Sequence, residues 1–233
     1  MNILTRNNKI KTVIGGIFLG LHFYFFFQAI KLTTIANATF LGTLAPIFTL
    51  LIERFILNRK FERRILFPFF IVILGSLIII SYEYEFSSRY TQGNLYAIIC
   101  SFWLGITFLI SENVRKQAST VSYTRSLFLM AAITLAIMSS LQNEALLGFD
   151  KMEYFGLFLL GLIPTILGHN TFNYALKYIK PTVVASFPLG EPIIASIIAY
   201  FLFSEIIGYE IFVGGITTLI GLYFLMKSQK RFL

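Results

Sequence analysis

Eight apolar runs, separated by short clusters of charge, decide what this chain can fold into: residues 12–30, 32–52, 65–82, 90–111, 126–143, 154–176, 181–204 and 211–226. Each is near the length of about 20 residues that a helix rising ~1.5 Å per residue needs to cross a hydrocarbon core ~30 Å thick. In lipid every backbone polar group must be satisfied within its own segment, so the runs are read as helices. Glu191 is the only charged side chain inside any of them, and the short last run is extended by Lys227, whose ammonium can snorkel outward. Charged residues make up 13% of the chain, against about 25% in soluble domains. That is too few to coat a water-facing surface, and no linker is long enough for a soluble domain. The reading is an all-α integral membrane protein with about eight transmembrane helices.

The net charge of +8 invites a nucleic-acid partner, but the distribution argues for a lipid bilayer and no nucleic acid. If the helices alternate, sixteen of the nineteen Lys and Arg fall on one side. Only Lys31, Arg89 and Lys151 remain on the other, together with seven of the eleven acids. That bias is the positive-inside pattern, which predicts a multi-pass protein of the cell (inner) membrane with both termini cytoplasmic. The basic start, residues 1–11, and the triplet Ala36-Asn37-Ala38 imitate a signal peptide and its cleavage site. A signal core is ~7–15 residues, however, and this run is longer and has seven more behind it. It is read as an uncleaved first helix. Asn37-Ala38-Thr39 fits the glycosylation sequon at a membrane edge, where the match is coincidental. The lone Cys100 has no partner for an internal disulfide and is assigned to packing.

Sliding the chain against itself by 146 residues aligns three helices without a gap. Ala29 and Lys31 fall on Ala175 and Lys177, Pro46 and Ile47 on Pro192 and Ile193, and Gly75 on Gly221. Eight identities over residues 29–80 are few; the gapless run across three helices gives the match its weight. The two copies start from opposite sides of the membrane. That is an inverted repeat, the plan of many secondary transporters. In such folds the binding site lies where matching helices are interrupted. Gly42 and Pro46 align with Pro188 and Pro192, and each proline removes a helical hydrogen bond. Helix breaks or kinks are therefore expected at Pro46 and at Pro188, Gly190 and Pro192.

Glu191 lies about ten residues, or roughly 15 Å, into its helix. A carboxylate there costs at least ~2.5–3.5 kcal/mol, so it faces a cavity, is paired or is protonated. His169 and Asn173 share a face at spacing i, i+4, with Thr165 one turn earlier. His22, on the first helix, lies near the repeat equivalent of His169. These groups in so apolar a chain point to a lined cavity, with Trp103 and Tyr174 as aromatic wall. Glu191, His169, Asn173, His22 and Trp103 are the expected substrate- or proton-binding residues. Glu112 is expected in a solvated ion pair with Arg115 and Lys116, and Gly16 with Gly20 at a helix contact. The sequence carries no Walker A loop, metal-ligand spacing or nucleophile elbow, so neither an enzyme, a resident cofactor nor a metal is expected.

Ala29–Leu51, AIKLTTIANATFLGTLAPIFTLL, resembles the third-to-fourth helix segment of EamA-type permeases in the drug/metabolite transporter superfamily. Gly20-Leu21-His22-Phe23, the stretch Gly168–Lys177 (GHNTFNYALK) and Leu189-Gly190-Glu191-Pro192 are similar to elements of one bacterial branch. Ser204-Glu205 stands where the family usually has Gly-Glu, and Asn58-Arg59 replaces that pair in the first half. The resemblance implies ten helices in two five-helix repeats around a central cavity, moving small metabolites such as amino acids. Counted against that plan, this sequence is expected to start at the third family helix, without the first two. Residues 1–89 would form an incomplete first repeat of three helices and residues 90–233 a second repeat of five. The expected activity is secondary transport of a small polar or amphipathic metabolite by alternating access. The rival is a truncated or accessory membrane subunit, and the expected partners are a small-molecule substrate and a second copy or completing subunit.

Overall fold

A computed structural model describes residues 5–33, 35–60, 63–80, 90–191, 193–194, 197–198, 201 and 208–228. Most of those residues are helical, with no strand among them. The elements are α1 (Arg6–Leu32), α2 (Ile35–Gly42), α3 (Ala45–Leu51) continuing into a π turn (Ile52–Ile56), α4 (Arg63–Ile80), α5 (Thr91–Arg115) and α6 (Thr120–Leu141). Then come α7 (Lys151–Leu160), a long π segment (Gly161–His169), α8 (Asn170–Ala175), α9 (Pro181–Ser186) with a 3₁₀ turn (Phe187–Gly190), and α10 (Tyr209–Ser228). Among the described residues five stretches are long and apolar enough to cross a membrane: Arg6–Leu32, Asn37–Ile56, Thr91–Arg115, Thr120–Leu141 and Lys151–Ala175. The helices outrun the apolar sequence because polar caps start them early. Thr5 accepts from the Asn8 N–H, Ser119 from Ser122, and Asp150 forms a capping box with Glu153.

Hydrogen bonds sort the charges by end. Lys11 donates to Asn113 and Asn8 to Gln117, tying the start of α1 to the end of α5. At the opposite end Lys31 pairs with Glu144 at 2.5 Å, and Thr33 donates to Asn94. The same end holds Asn37, fully buried, with its amide donating to Asn94 and Thr33. A glycan has no access there. Cys100 is a buried free thiol, in keeping with packing.

Glycines set the helix crossings. A Cβ on Gly16 would lie 2.7 Å from the Leu127 carbonyl, and one on Gly20 2.8 Å from that of Ala131. The small-xxx-small pair thus brings the backbones of α1 and α6 together. Gly20→Leu should lower the melting temperature in detergent, since overpacking costs roughly 1–3 kcal/mol; an unchanged melting curve would show that the crossing tolerates separation.

The second crossing joins α4 to α10. A Cβ on Gly75 would sit 2.5 Å from Thr218 N, and one on Gly221 2.7 Å from Val72 N. Residue 75 advanced by 146 is 221, and 72 advanced by 146 is 218. The shift therefore converts the Val72–Gly221 contact into the Thr218–Gly75 contact. Each side presents the same patch to the other, as across a two-fold axis. As one partner number rises the other falls, so the helices run antiparallel and the axis lies across them. The offset of 146 residues thus reappears as a reciprocal contact between α4 and α10.

The two halves are clothed differently. α1 is covered by α5 and α6 through a core that includes Leu19, Leu104, Phe108, Tyr123 and Leu127. The segment Lys151–Ala175, which the 146-residue offset aligns with α1, buries none of its apolar stretch among the described residues.

Candidate functional site

Where α1 and α5 cross, His22 and Phe18, one turn apart, meet Cys100 and Trp103, also about one turn apart. His22 Nδ1 lies 3.1 Å from the Cys100 carbonyl and 3.0 Å from its Sγ. Nδ1 donates to the carbonyl in one tautomer and accepts from the thiol in the other. Phe18 stacks on Trp103 at 4.9 Å. From the far side, the end of the π segment brings in His169, its ring 6.0 Å from His22 and edge-on to Phe23 at 5.1 Å. One turn on, the Asn173 amide donates to the His169 carbonyl, and the Asn173 carbonyl accepts from Arg115 Nε at 2.9 Å.

Pro164 lies inside the π segment. Its ring and missing N–H break the regular ladder, and π turns of this kind gather at functional sites. Among the described residues, buried polar atoms remain unpaired around the cluster: Trp103 Nε1, His169 Nδ1, Asn170 Oδ1 and Asn173 Oδ1. Buried polar atoms are rarely left so, and several together form a set of contacts open to a ligand.

A second polar assembly sits at the Lys- and Arg-rich end. Arg59 donates to Glu53 at 2.6 Å and to Glu112 at 2.7 Å. Glu53 also accepts from Thr182 at 2.6 Å, Thr49 donates to Thr182 at 3.1 Å, and Lys116 pairs with Glu112 at 3.0 Å. The carboxylates are 10% exposed. These bonds strap residues before 90 to residues after it. They border a cavity of about 340 Å³ walled by Arg54, Lys60, Lys180, Leu50, Ile65 and Leu66.

His22 and His169 face each other, Asn173 joins them through the His169 carbonyl, and Trp103 stands about one turn along α5 from Cys100, stacked on Phe18. Glu191 is exposed at the end of the 3₁₀ turn, whose Leu189 packs on Val72 and Leu222. It makes no hydrogen bond or ion pair with those four residues. Thr165 spends its hydroxyl on the Leu160 carbonyl, and Tyr174 is 56% exposed and paired with Tyr178, so neither lines the cluster. The helix pauses between Gly42 and Ala45, with Pro46 in the first turn of α3. Pro188 and Gly190 stand in the 3₁₀ turn; Pro192 lies outside the described residues. The expected solvated pairing of Glu112 with Arg115 is corrected. Arg115 turns to Ala118, Thr120 and Asn173, and the mostly buried Glu112 takes Arg59 instead. Sequence reasoning missed the strap because its partners are 53 and 129 residues apart. Its one signal was Asn58-Arg59 in place of Gly-Glu.

Three comparisons bear on this arrangement. An uncharacterized transporter of Archaeoglobus fulgidus is 24% identical over 213 residues, spanning 91% of this chain and 74% of its own length. The pseudopaline exporter CntI of Pseudomonas aeruginosa is 24% identical over 185 residues, 78% of this chain and 62% of the exporter. A crystal structure shares the fold with a TM-score of 0.73 at 18% identity, over 91% of this chain and 72% of that one. The sequence profile of the EamA-like transporter family matches residues 2–81 and 91–227. With that coverage and a helical bundle of membrane-spanning length, the chain belongs to the EamA-like transporter family.

Proposed function

We propose that the chain is a secondary transporter moving a small polar or amphipathic, amino-acid-like metabolite by alternating access. Residues 1–89 and 90–233 act as the two repeats and rock about the α4–α10 crossing. The observation that carries this reading is the set of unpaired buried atoms on Trp103, His169, Asn170 and Asn173 beside His22. His22, His169 and Asn173 hydrogen-bond the cargo and Trp103 supplies an aromatic face. Glu191 takes the proton or cationic group that couples the cycle, reaching the cargo in another state of the carrier. The basic end faces the cytoplasm, as its charge bias favours, and the Arg59 strap closes that side. From the exporter relative we carry over only that a small metabolite is the cargo.

The test compares metabolites inside cells and in their medium, with and without the chain, and then repeats the comparison with Glu191→Gln and His169→Ala. Glu191→Gln loses the titratable charge and His169→Ala a hydrogen-bonding ring; a charged hydrogen bond is worth about 1.5–3 kcal/mol, so transport should fall roughly 10–100-fold. Wild-type rates in both would remove these residues from the site.

The bare face of α7 favours a second reading, in which a helical hairpin of a partner subunit covers it as α5 and α6 cover α1. It predicts a complex heavier than one chain by native mass spectrometry; a lone protomer that transports would exclude it.

A further inference from the structure

We infer that Arg115 is the positioning residue of the histidine cluster: from the last turn of α5 it fixes the end of α8, and through Asn173 it holds His169 against His22. The inference rests on the carrier reading and adds to it a residue that shapes the site without touching the cargo. Arg115 is 2% exposed, and its guanidinium reaches α8, the start of α6 and the loop between α5 and α6. Nε donates to the Asn173 carbonyl at 2.9 Å, Nη2 to Thr120 Oγ1 at 2.6 Å and Nη1 to the Ala118 carbonyl. A rigid planar fork fixes the direction of each bond, which an ammonium on a flexible stem does not.

The Asn173 carbonyl calls for such a donor. In a regular helix it would accept from the N–H of Lys177, four residues on. Here the chain tightens instead: Lys177 N turns to the Tyr174 carbonyl at 3.3 Å, while Leu176 N takes that of Phe172 at 2.9 Å. The carbonyl passed over between them is the one that Arg115 takes. A cation at a helix end also meets the negative end of the peptide dipoles. Asn173 carries the hold onward, because its amide donates to the His169 carbonyl at 2.8 Å. α8 is six residues long, too short to keep its own conformation. The segment Lys151–Ala175 buries none of its apolar stretch among the described residues, so hydrogen bonds do more than packing to orient it. At the end of this chain of bonds the His169 ring stands 6.0 Å from His22, 5.1 Å from Phe23 and 6.1 Å from Phe172.

The chain has two histidines, His22 and His169, so isotope labelling of histidine ring nitrogens, with a purification tag free of that residue, reports these two rings alone. Magnetic resonance spectra in phosphatidylcholine nanodiscs compare the wild-type chain with Arg115→Met, Arg115→Lys and Thr120→Val. In Arg115→Met the His169 signal should move by more than its line width, while that of His22, held by Cys100, moves less. Arg115→Lys keeps the charge and one donor, so His169 should return part of the way; this variant also remains readable if Arg115→Met does not fold. Thr120→Val removes another acceptor of the same guanidinium and should leave both rings in place. An unmoved His169 in the Arg115 variants, an equal displacement of both rings, or the same displacement in Thr120→Val would overturn the inference. Failure of both Arg115 variants to fold would overturn it too, by making the arginine a support of the whole fold. The readout does not depend on transport. A displaced His169 in a chain that moves nothing keeps Arg115 in this role and removes the carrier; an unmoved ring in a chain that transports does the reverse.

Discussion

Gly75→Leu is expected to leave little folded protein to purify, and Gly221→Leu is expected to match it. At each position the atoms met first include the backbone of the opposite helix: Thr218 N at 2.5 Å and the Gly214 carbonyl at 2.8 Å for residue 75, and Val72 N at 2.7 Å for residue 221. A flexible side chain could swing aside, but a helix backbone moves only by separating the pair. No hydrophobic force draws helices together in lipid, so their association depends on this close packing. Separation forfeits the van der Waals contact of the whole crossing, beyond the ~1–3 kcal/mol usual for overpacking. Leu74→Ala is the control, because that side chain is exposed on the same helix. Size-exclusion yield and melting temperature read the outcome. A Gly75→Leu protein as abundant and stable as the Leu74→Ala control would show that α4 and α10 do not meet there.

Arg59→Gln should open the basic end without unfolding the chain. The substitution removes a group that holds both Glu53 and Glu112 and leaves the glycine crossings untouched. Each charge-assisted hydrogen bond is worth about 1.5–3 kcal/mol, so the closed arrangement should lose roughly 10–100-fold in population. A cysteine at Ile65, which is 6% exposed and borders the cavity, reports the change through a membrane-impermeant maleimide. Its labelling should accelerate by that factor in Arg59→Gln, and only partly recover in Arg59→Lys, since an ammonium lacks the fork that spans two carboxylates. Equal labelling in all three proteins would mean that the strap closes nothing.

Partial burial acts to lower the Arg59 pKa, but the hydrogen bonds and charges of Glu112 and Glu53 outweigh it, and the net direction is upward. A raised folded-state pKa contributes stability that is complete below the unfolded value and lost only as pH climbs through the folded one. That window lies above the ordinary arginine range. The arginine side of the strap therefore holds at every physiological pH.

Much of the architecture was legible because lipid leaves few alternatives. Long apolar runs can only be helices, and a gapless offset of 146 residues matched Gly75 to Gly221 before either was seen at a crossing. The interior of those helices was less legible. Periodicity assumed 3.6 residues per turn throughout, whereas Pro164 opens a π segment; Thr165 then bonds its own backbone while His169 turns toward His22. The pairing of His22 with Cys100 spans 78 residues, and no local pattern encodes it. Arg115 and Arg59 show the same limit. Both are basic residues near Glu112, and only the three-dimensional path of the loop after α3 decides which one pairs with it.

The central claim is that the two repeats move against each other and that the contact between α3 and α9 must part for transport. Thr49 and Thr182 face each other across that contact with their oxygens 3.1 Å apart. Cysteines placed at both positions should form a disulfide on oxidation. Transport of the metabolite identified by profiling should then stop, and reduction should restore it. Full transport by the cross-linked protein would contradict the account.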